Sequence, residues 1–395
     1  MKRSYEVPRP PLRERAVLVG KAERGGRGGA APGADGLPAS LEELGRLAET
    51  AGATVGGSVI QRRGPVRPAT FVGRGKLEEL KRVAGEADAD MVIFDDDLSP
   101  AQVRNLEKAI GLKVVDRSEL ILDIFARRAR TRESRLQVEL AQLQYMLPRL
   151  TGLWKHLERQ AGGIGTRGPG ETQLETDRRI VRERIARLKR ALEAVERERE
   201  TQRRRRRREF RAAIVGYTNA GKSTLFNALT RSDVFVEDLL FATLDATTRQ
   251  MVSPERQVAL LTDTVGFIRK LPHHLVASFH STLTEAVEAD LLLHLVDASA
   301  PDFRRQMSAV EEVLEEILER PRPITLVFNK CDRFVGDGID AAALHAEFPG
   351  AFVVSARRGE GLDGLRAFLW REAAGRNANG ARAAVGSHER GARTP

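Results

Sequence analysis

The stretch RAAIVGYTNAGKSTLFNALT, residues 211–230, decides the fold of the C-terminal half of this 395-residue chain. Its centre, GYTNAGKS (216–223), fits G-x-x-x-x-G-K-[S/T], a pattern in which the backbone amides of a glycine-rich loop surround a phosphate at a helix N-terminus. The apolar run before it predicts a strand, and STLFNALT after it predicts a helix. Because the pattern stands between a strand and a helix, we interpret it as a phosphate-binding loop.

Three motifs follow in order, each directly after an apolar run that predicts a strand. DTVG (263–266) places the carboxylate of Asp263 beside the Mg²⁺ and the amide of Gly266 near the γ-phosphate, and SAR (355–357) can support a base. In NKCD (329–332), Asp332 can accept both the ring N–H and the exocyclic amine of guanine, a pair that adenine does not offer. Functional groups at the carboxyl ends of parallel strands share one edge of a sheet. These motifs predict a GTP site on a doubly wound α/β domain.

The chemistry of the loop predicts the ion-binding groups. Lys222 supplies positive charge between the β- and γ-phosphates, and the Ser223 hydroxyl ligates Mg²⁺, which Asp263 holds through water. The threonine-rich loop DLLFATLDATTR (238–249) supplies one more hydroxyl in the GTP state. We favour Thr243 for this ligand, and Thr247 and Thr248 are alternatives.

The residue after D-x-x-G is Phe267, where many GTPases carry a glutamine that orients the attacking water. A phenyl ring cannot orient water by hydrogen bonds, so hydrolysis depends on other polar groups, a monovalent cation or a partner. Asn219 is placed to coordinate K⁺ beside the phosphates. The alternative for Asn219 is an amide that stabilises the turn.

The predicted site therefore contains four catalytic residues, a larger set of nucleotide contacts and a magnesium site. The catalytic residues are Lys222, Asn219, Thr243 and Gly266. The nucleotide contacts are Gly216, Tyr217, Thr218, Asn219, Ala220, Gly221, Lys222, Ser223, Thr224, Phe241, Ala242, Thr243, Asp263, Thr264, Val265, Gly266, Asn329, Lys330, Asp332, Ser355, Ala356 and Arg357. The Mg²⁺ ligands are Ser223, Thr243 and, through water, Asp263.

A second glycine-rich run, GIGTRG (163–168), matches the dinucleotide-binding pattern G-x-G-x-x-G. The helical, polar segment before it lacks the strand that this pattern requires. Glu171 and Glu175 in the following helix would also repel a phosphate. We interpret the run as a thin, exposed tip suited to an RNA crevice. The predicted RNA contacts are Gly163, Gly165, Thr166, Arg167 and Gly168.

Alternating strand and helix patterns before residue 118 predict a small parallel α/β domain, in which Ser40 caps a helix and Glu43 completes its capping box. Leucines at heptad spacing in one later segment, and leucine, valine and isoleucine at this spacing in the next, predict an antiparallel helical hairpin. The predicted organisation is an extension (1–15), the N-terminal α/β domain (16–117) with a flexible insertion (21–38), the hairpin (118–208) with its tip (161–171), the GTPase domain (209–372) and a disordered basic tail (373–395).

Charge and composition narrow the class of protein. The chain carries a net charge of +10, divided as +13 over residues 1–209, −6 over 210–372 and +3 over the tail. The excess positive charge in the N-terminal half indicates a polyanionic partner, with solvated helix faces as the simpler alternative. The sequence lacks an apolar run long enough to span a membrane, and its single cysteine, Cys331, is typical of a reducing cytoplasm.

Several segments together resemble one family. GYTNAGKS, FATLDATT (241–248), DTVGF and NKCD resemble the GTPases of the Obg–HflX group. QRRGPVRPATFVGRGKLEEL (61–80), FDDDLSPAQVRNLE (94–107) and GGIGTRGPGETQLETDRR (162–179) are similar to the HflX family in particular. The resemblance covers roughly residues 40–372. Two departures are the insertion at 21–38 and a short basic tail in place of the C-terminal domain of some members.

The resemblance implies a cytoplasmic, monomeric GTPase that binds the large ribosomal subunit and separates stalled or idle 70S ribosomes, especially under stress. It implies that the glycine-rich tip approaches ribosomal RNA near the peptidyl-transferase region, and that the GTP and Mg²⁺ roles carry over to the residues named above. Peripheral association with a membrane is a lesser expectation. The alternative function is a GTP-regulated module for general RNA binding or ribosome assembly.

Overall fold

The structure is a computed structural model. It describes residues 14–21, 39–62, 65–151, 169–206, 209–232, 239–270, 272, 285–318, 320–334 and 340–390. The chain divides into two compact units, Met1–Ile124 with Gln142–Glu183, and Phe125–Ala141 with Arg184–Pro395.

The first unit contains a parallel sheet, as the alternating pattern predicts. Among the described residues its strands lie in the order β2-β1-β3-β4. The elements are β1 (Arg15–Lys21), α1 (Ala39–Thr50), β2 (Thr54–Gln61), α2 (Arg74–Glu86), β3 (Met91–Phe94), α3 (Pro100–Ile110) and β4 (Lys113–Asp116). Helix α3 begins after Ser99, which forms a capping box with Gln102, and ends at Gly111 in the left-handed conformation.

The predicted cap of α1 is wrong. The helix begins at Ala39, and the Ser40 hydroxyl donates to Asp95 at 2.5 Å. Glu43 pairs with Arg117. The buried charges of Asp95 and Arg117 recruit both side chains, because a tertiary ion pair in the interior outweighs a local cap.

The helical segment comprises α4 (Arg117–Arg128), α5 (Arg132–Met146), a 3₁₀ turn (Leu147–Thr151) and α6 (Pro169–Arg206). In the second unit, Arg184 pairs with Glu139 and Arg199 with Glu133, each at 2.7 Å. The later residue of α6, Arg199, contacts the earlier residue of α5, Glu133, so these parts of the two helices run antiparallel, as predicted. Helix α6 includes Pro169 and Gly170, which the sequence placed in the non-helical tip. Proline is tolerated in the first turn of a helix because its missing N–H would have no partner there.

The second unit contains the predicted doubly wound sheet. Its described strands lie in the order β10-β9-β8-β5-β7-β6, and only β6 pairs antiparallel. The elements are β5 (Phe210–Gly216), α7 (Lys222–Thr230), β6 (Thr247–Val252), β7 (Val258–Asp263), β8 (Leu291–Asp297), α8 (Phe303–Ile317), β9 (Ile324–Asn329), α9 (Ala341–Glu347), β10 (Phe352–Val353) and α10 (Leu362–Arg390). Side chains of α7 and α10 join a core cluster on one face of the sheet, and those of α8 and α9 join another.

The C-terminal helix of the GTPase domain extends into the segment for which the sequence predicts a disordered tail. Helix α10 continues through Arg390, and Ala373 lies fully buried in the core. Alanine is a strong helix former, and residues 373–390 contain no proline that would end the helix.

Several predicted segments lie wholly or partly outside the described residues: 1–13 of the extension, 22–38 of the insertion and 161–168 of the tip. Within the part of the chain that is described, none of the helices combines the length and apolar character needed to cross a bilayer.

Candidate functional site

The phosphate-binding loop has the local structure that its sequence predicts. Strand β5 ends at Gly216, and α7 begins at Lys222. Gly221 has a φ of 94°, and a Cβ at this position would lie 2.4 Å from Nδ2 of Asn329. Both the left-handed backbone and the close approach of Asn329 therefore require glycine here.

Lys222 is buried inside this loop. Its Nζ donates to the carbonyl oxygens of Gly216 at 3.1 Å and Tyr217 at 2.8 Å. Burial and then the charge of Lys330 lower the pKa of Lys222 to about 8, against the opposing effect of Asp263. The loop thus holds a cation with little competing solvent, which strengthens its interaction with an anion.

Three oxygen-bearing side chains converge next to this lysine. The Ser223 hydroxyl lies 2.8 Å from Oγ1 of Thr243 and donates to Oδ2 of Asp263 at 2.7 Å. Asp263 is fully buried, and its Oδ1 lacks a hydrogen-bond partner among the described residues. Burial raises the pKa of Asp263, while hydrogen bonding from Ser223 and the charge of Lys222 lower it.

This donor set fits a magnesium ion. Mg²⁺ prefers carboxylate and hydroxyl oxygens, and a cation would offset the cost of burying Asp263 in its charged form. The alternatives to Thr243 point elsewhere. Thr248 pairs with Thr262 at 2.9 Å between their hydroxyls, and Thr247 lies with it on strand β6. The structure therefore brings Thr243, and not the other two threonines, to Ser223.

Asn329 and Lys330, at the end of β9, hold the phosphate-binding loop through hydrogen bonds. Asn329 donates to the carbonyl of Ala220 at 2.9 Å and accepts from the amide of Ala356 at 3.0 Å. Lys330 donates to the carbonyl of Asn219 at 2.9 Å and pairs with Asp297 at 2.7 Å. The two side chains hold the loop in place from outside.

The predicted base-binding groups lie at the same edge of the sheet. Oδ1 of Asp332 accepts a hydrogen bond from the buried Ser355 hydroxyl at 2.6 Å. This bond lowers the pKa of Asp332, so the carboxylate is ready to accept from N–H groups. Ala356 is buried beside them, and Arg357 is exposed.

The segment after β7 packs against the loop. Thr264 uses its hydroxyl to donate to the carbonyl of Ile214 at 2.7 Å, and Val265 is buried. Phe267 is 1% exposed and pairs with the loop through its backbone: the amide of Thr218 donates to its carbonyl at 2.7 Å. Phe267 thus stabilises the loop from the core. Gly266 lies directly over the loop, because a Cβ there would be 2.8 Å from Cα of Thr218.

A cavity forms where these segments meet. The predicted residues that line it are Thr218, Asn219, Gly221, Lys222, Ser223, Thr224, Phe241, Ala242, Thr243 and Gly266, together with the unpredicted Leu239. Tyr217 directs its hydroxyl to the segment after β7, and its contact with nucleotide stays a prediction. Its hydroxyl accepts from the amide of Arg269 at 2.9 Å.

Asn219 lines the cavity with a φ of 61°. Asparagine tolerates this left-handed conformation better than most residues, which explains its presence without reference to an ion. Its predicted role as a K⁺ ligand stays a prediction, as does RNA contact by residues 163 and 165–168, which lie outside the described residues.

Sequence reasoning missed two groups of side chains around the site. Asp297 neutralises Lys330, and its position at the end of an apolar strand is the signal that could have found it. The second group consists of Asp245 and Thr131, which are hydrogen-bonded to each other. They lie 114 positions apart in sequence, so no local pattern connects them.

Three family models match this chain. The model "GTP-binding GTPase N-terminal" matches residues 38–126, "GTP-binding GTPase Middle Region" matches 128–206, and "50S ribosome-binding GTPase" matches 211–330.

Curated relatives extend the match over most of the chain. The GTPase HflX of Caldanaerobacter subterraneus subsp. tengcongensis is 55% identical over 295 residues, which cover 74% of this chain and 69% of the relative. GTPase HflX of Lacrimispora saccharolytica is 52% identical over 82% of this chain and 77% of its own. GTPase HflX of Escherichia coli K12 is 50% identical over 74% and 69%.

Among solved structures, the complex of SsGBP with GDP is similar over 92% of this chain and 99% of its own, with a TM-score of 0.50 and 24% identity. At this identity the likeness concerns the fold alone.

Proposed function

This chain belongs to the GTPase HflX family and hydrolyses GTP, and from that premise we propose that it binds the large ribosomal subunit and separates stalled or idle 70S ribosomes. One observation carries the proposal: a GTPase domain that matches a model of 50S ribosome-binding GTPases follows a strongly basic helical segment in the same chain. We place the protein in the cytoplasm, where ribosomes are found.

In the proposed site, Ser223 and Thr243 bind Mg²⁺ directly and Asp263 binds it through water. The convergence of their oxygens supports this assignment, as does Oδ1 of Asp263, which lacks a hydrogen-bond partner within the described part of the chain. A bound Mg²⁺ neutralises charge on the phosphates. Lys222 and the amides of the loop hold the β- and γ-phosphates, and Asp332 with Ser355 selects guanine.

Hydrolysis proceeds without a glutamine at the position of Phe267, whose ring is buried in the core. We propose that Lys222 and the amide of Gly266 stabilise charge on the terminal phosphate, and that Asn219 holds K⁺ beside it. Replacing K⁺ by Na⁺ in the assay tests the ion, because a larger loss of rate in wild type than in Asn219→Ala is expected. Equal rates in the two salts would remove K⁺ from the proposal.

The hairpin supplies the surface for RNA. Arg187, Lys189 and Arg190 on α6 are exposed, and exposed basic side chains bind phosphates in a salt-dependent way. In the proposal, Gly163, Gly165, Thr166, Arg167 and Gly168 at the tip reach ribosomal RNA near the peptidyl-transferase region, and GTP hydrolysis releases the protein.

Sedimentation with 70S ribosomes tests the proposal. We expect co-sedimentation with a GTP analogue and conversion of 70S particles to subunits, with weaker binding in GDP or without nucleotide. Ribosomes are also expected to accelerate GTP hydrolysis. Binding that ignores the nucleotide, together with an unchanged hydrolysis rate, would contradict it.

The variant Arg167→Ala separates this function from general RNA binding, which the positive charge of the N-terminal half also favours. Loss of binding confined to ribosomes supports ribosome separation, whereas equal loss on any structured RNA supports the general module. Arg82→Ala is the matched control, because Arg82 is an exposed arginine of the N-terminal sheet domain that pairs with Glu86.

A further inference from the structure

The short segment 241–245, which we name the switch segment, contacts the nucleotide site along one side. The amide of Phe241 donates to Oγ1 of Thr218 in the phosphate-binding loop at 3.0 Å. Two residues later, Oγ1 of Thr243 lies 2.8 Å from the Ser223 hydroxyl. These contacts place Thr243 where the proposed Mg²⁺ needs it.

The other side of the segment binds the turn between α4 and α5. Oδ2 of Asp245 accepts from the amides of Arg130 at 3.0 Å and Thr131 at 3.3 Å. Oδ1 of Asp245 accepts from the Thr131 hydroxyl at 2.6 Å. The amides at the start of a helix lack partners within the helix and favour a negative charge. Asp245 accepts from the two amides that directly precede α5 and places its negative charge at the N-terminus of that helix, while the Thr131 hydroxyl accepts from the amide of Ser134 in the first turn.

An aromatic contact also joins the switch segment to α4. The ring of Phe241 meets that of Phe125 on α4, with centroids 4.7 Å apart and planes at 81°. Phe241 and Phe125 are 1% and 2% exposed. Phe241 has a φ of 55°, and this conformation is costly for an aromatic residue unless surrounding contacts hold it. The switch segment is therefore docked at both of its ends.

Thr243 and Asp245 are two residues apart, so the position of one limits the position of the other. Neighbouring residues of a trans-linked chain lie about 3.8 Å apart between their Cα atoms, and the intervening Leu244 is 2% exposed. If Asp245 left the α4–α5 turn, Thr243 would lose the constraint that holds its hydroxyl at Ser223.

We infer that Asp245 is a positioning residue for GTP hydrolysis: it docks the switch segment onto the α4–α5 turn and thereby holds Thr243 at the Mg²⁺ site. The inference rests on the proposed role of Thr243 as a Mg²⁺ ligand.

This arrangement connects the hairpin to the reaction. The first turn of α5 contains Glu133, which pairs with Arg199 of α6 at 2.7 Å. A force on α6 therefore reaches α5 next to Thr131, the residue that Asp245 binds. Binding of RNA by the hairpin would in this way change the rate of hydrolysis.

The test measures hydrolysis of GTP by the full chain without ribosomes, as a function of Mg²⁺ concentration, and GDP affinity in parallel. For Asp245→Ala we expect about a tenfold rise in the Mg²⁺ concentration needed for half-maximal rate, because charged hydrogen bonds are lost. GDP affinity is expected to change less than about twofold, because Asp245 and Thr131 bind each other rather than the phosphate-binding loop.

Thr131 provides the second arm of the test. Thr131→Val is expected to shift the Mg²⁺ dependence in the same direction, and Thr131→Ser, which keeps the hydroxyl, is expected to restore it. Both changes remove the bond between the Thr131 hydroxyl and Oδ1 of Asp245, while Thr131→Val also removes the bond that this hydroxyl accepts from the amide of Ser134. In the double variant the Mg²⁺ requirement is expected to rise little beyond that of Asp245→Ala alone, because the shared bond is already lost. Glu255→Ala, which removes an exposed carboxylate from the turn between β6 and β7, serves as the matched control.

Thr243→Ala distinguishes the possible failures. If Thr243→Ala raises the Mg²⁺ requirement and Asp245→Ala does not, the positioning role of Asp245 is wrong and the magnesium site stands. If Thr243→Ala leaves the requirement unchanged, the assignment of Thr243 itself is wrong. Additive effects of Asp245→Ala and Thr131→Val would likewise overturn the inference, because the two residues would then act separately.

Discussion

Two parallel sheets of this molecule gather charged side chains at the carboxyl ends of their strands, but they use them differently. In the N-terminal sheet, Arg117 is 1% exposed and pairs with Asp95 at 2.8 Å and with Glu43. Asp116, which ends β4 directly before Arg117, accepts from Tyr145 at 2.8 Å and pairs with Arg149 at 2.9 Å. We call these five charged residues (Glu43, Asp95, Asp116, Arg117 and Arg149) the paired cluster.

In the GTPase sheet the corresponding edge stays open. Asp263 keeps an oxygen without a hydrogen-bond partner among the described residues, and the loop beside it lines a cavity. In this chain the carboxylates at the edge of the N-terminal sheet are neutralised by the protein's own guanidinium groups, whereas the GTPase sheet leaves an oxygen of Asp263 for the proposed Mg²⁺. Breaking the paired cluster would therefore leave buried charges without partners, whereas the open edge is the candidate ligand site.

The largest expected effect is on the stability of the N-terminal sheet domain, when the paired cluster loses the guanidinium of Arg117. Arg117→Met leaves two carboxylates, Asp95 and Glu43, buried without their guanidinium, and we expect a loss of about 3–5 kcal/mol. Hydrogen exchange of peptides from β3 and β4 measures it, and GDP affinity is expected to persist. Arg82→Met, which removes an exposed pair with Glu86, is expected to cost less than about 0.5 kcal/mol. Equal costs for the two variants would show that the cluster is not a closed, buried unit.

The next effect is on binding at the open edge. Lys222→Ala removes the buried cation of the phosphate-binding loop, and we expect GTP affinity to fall by at least about 100-fold, or about 2.7 kcal/mol. Titration with a fluorescent GTP analogue measures it. The control is Lys76→Ala in the segment GRGK (73–76), where Lys76 pairs with Glu79 at 2.6 Å. Comparable losses in both variants would mean that the N-terminal sheet also binds nucleotide.

The GTPase sheet also contains a buried histidine, which makes its stability depend on pH. His294 on β8 is 1% exposed, and burial lowers its pKa to about 4, with a smaller effect of the Lys222 charge. The unfolded chain therefore binds more protons between pH 6.5 and 4. The contribution of neutral His294 to the free energy of unfolding is fully present above about pH 6.5 and falls as the pH drops, by about 2 kcal/mol at pH 5.

Urea unfolding at pH 7 and pH 5, followed through peptides of β8, tests this expectation. His294→Leu is expected to remove about 2 kcal/mol of the difference between the two pH values. If wild type and variant lose stability in parallel, His294 is not the group responsible.

The smallest expected effect concerns one hydroxyl of the N-terminal sheet. Tyr145→Phe removes a hydrogen bond to Asp116, which keeps Arg149 and the amide of Glu119 as partners. We therefore expect a loss of only about 1 kcal/mol, measured by hydrogen exchange as for Arg117→Met. A loss as large as that of Arg117→Met would indicate that Tyr145 is essential for the charge balance of the cluster.

Much of the fold was predictable because its signals are local. The strand, loop and helix around residues 216–223 follow from glycine, lysine and apolar spacing within twenty residues, and the capping box at Ser99 lies within four. The same local reasoning went wrong at Ser40, whose partner Asp95 is 55 positions away. At the C-terminus, a polar, glycine-containing segment continues helix α10.

The sequence by itself determined that this protein has a phosphate-binding loop, the residues proposed to select guanine and the HflX family's architecture, because each depends on residue types at short, fixed spacings. Only the tertiary structure decided which of three threonines lies at Ser223, and that Asp245 docks on Thr131. It also decided that Asp95, in the acidic loop after β3, is neutralised while Asp263 is left for a ligand. Such choices depend on contacts between segments distant in sequence and on burial, which raises the cost of every charge left without a partner.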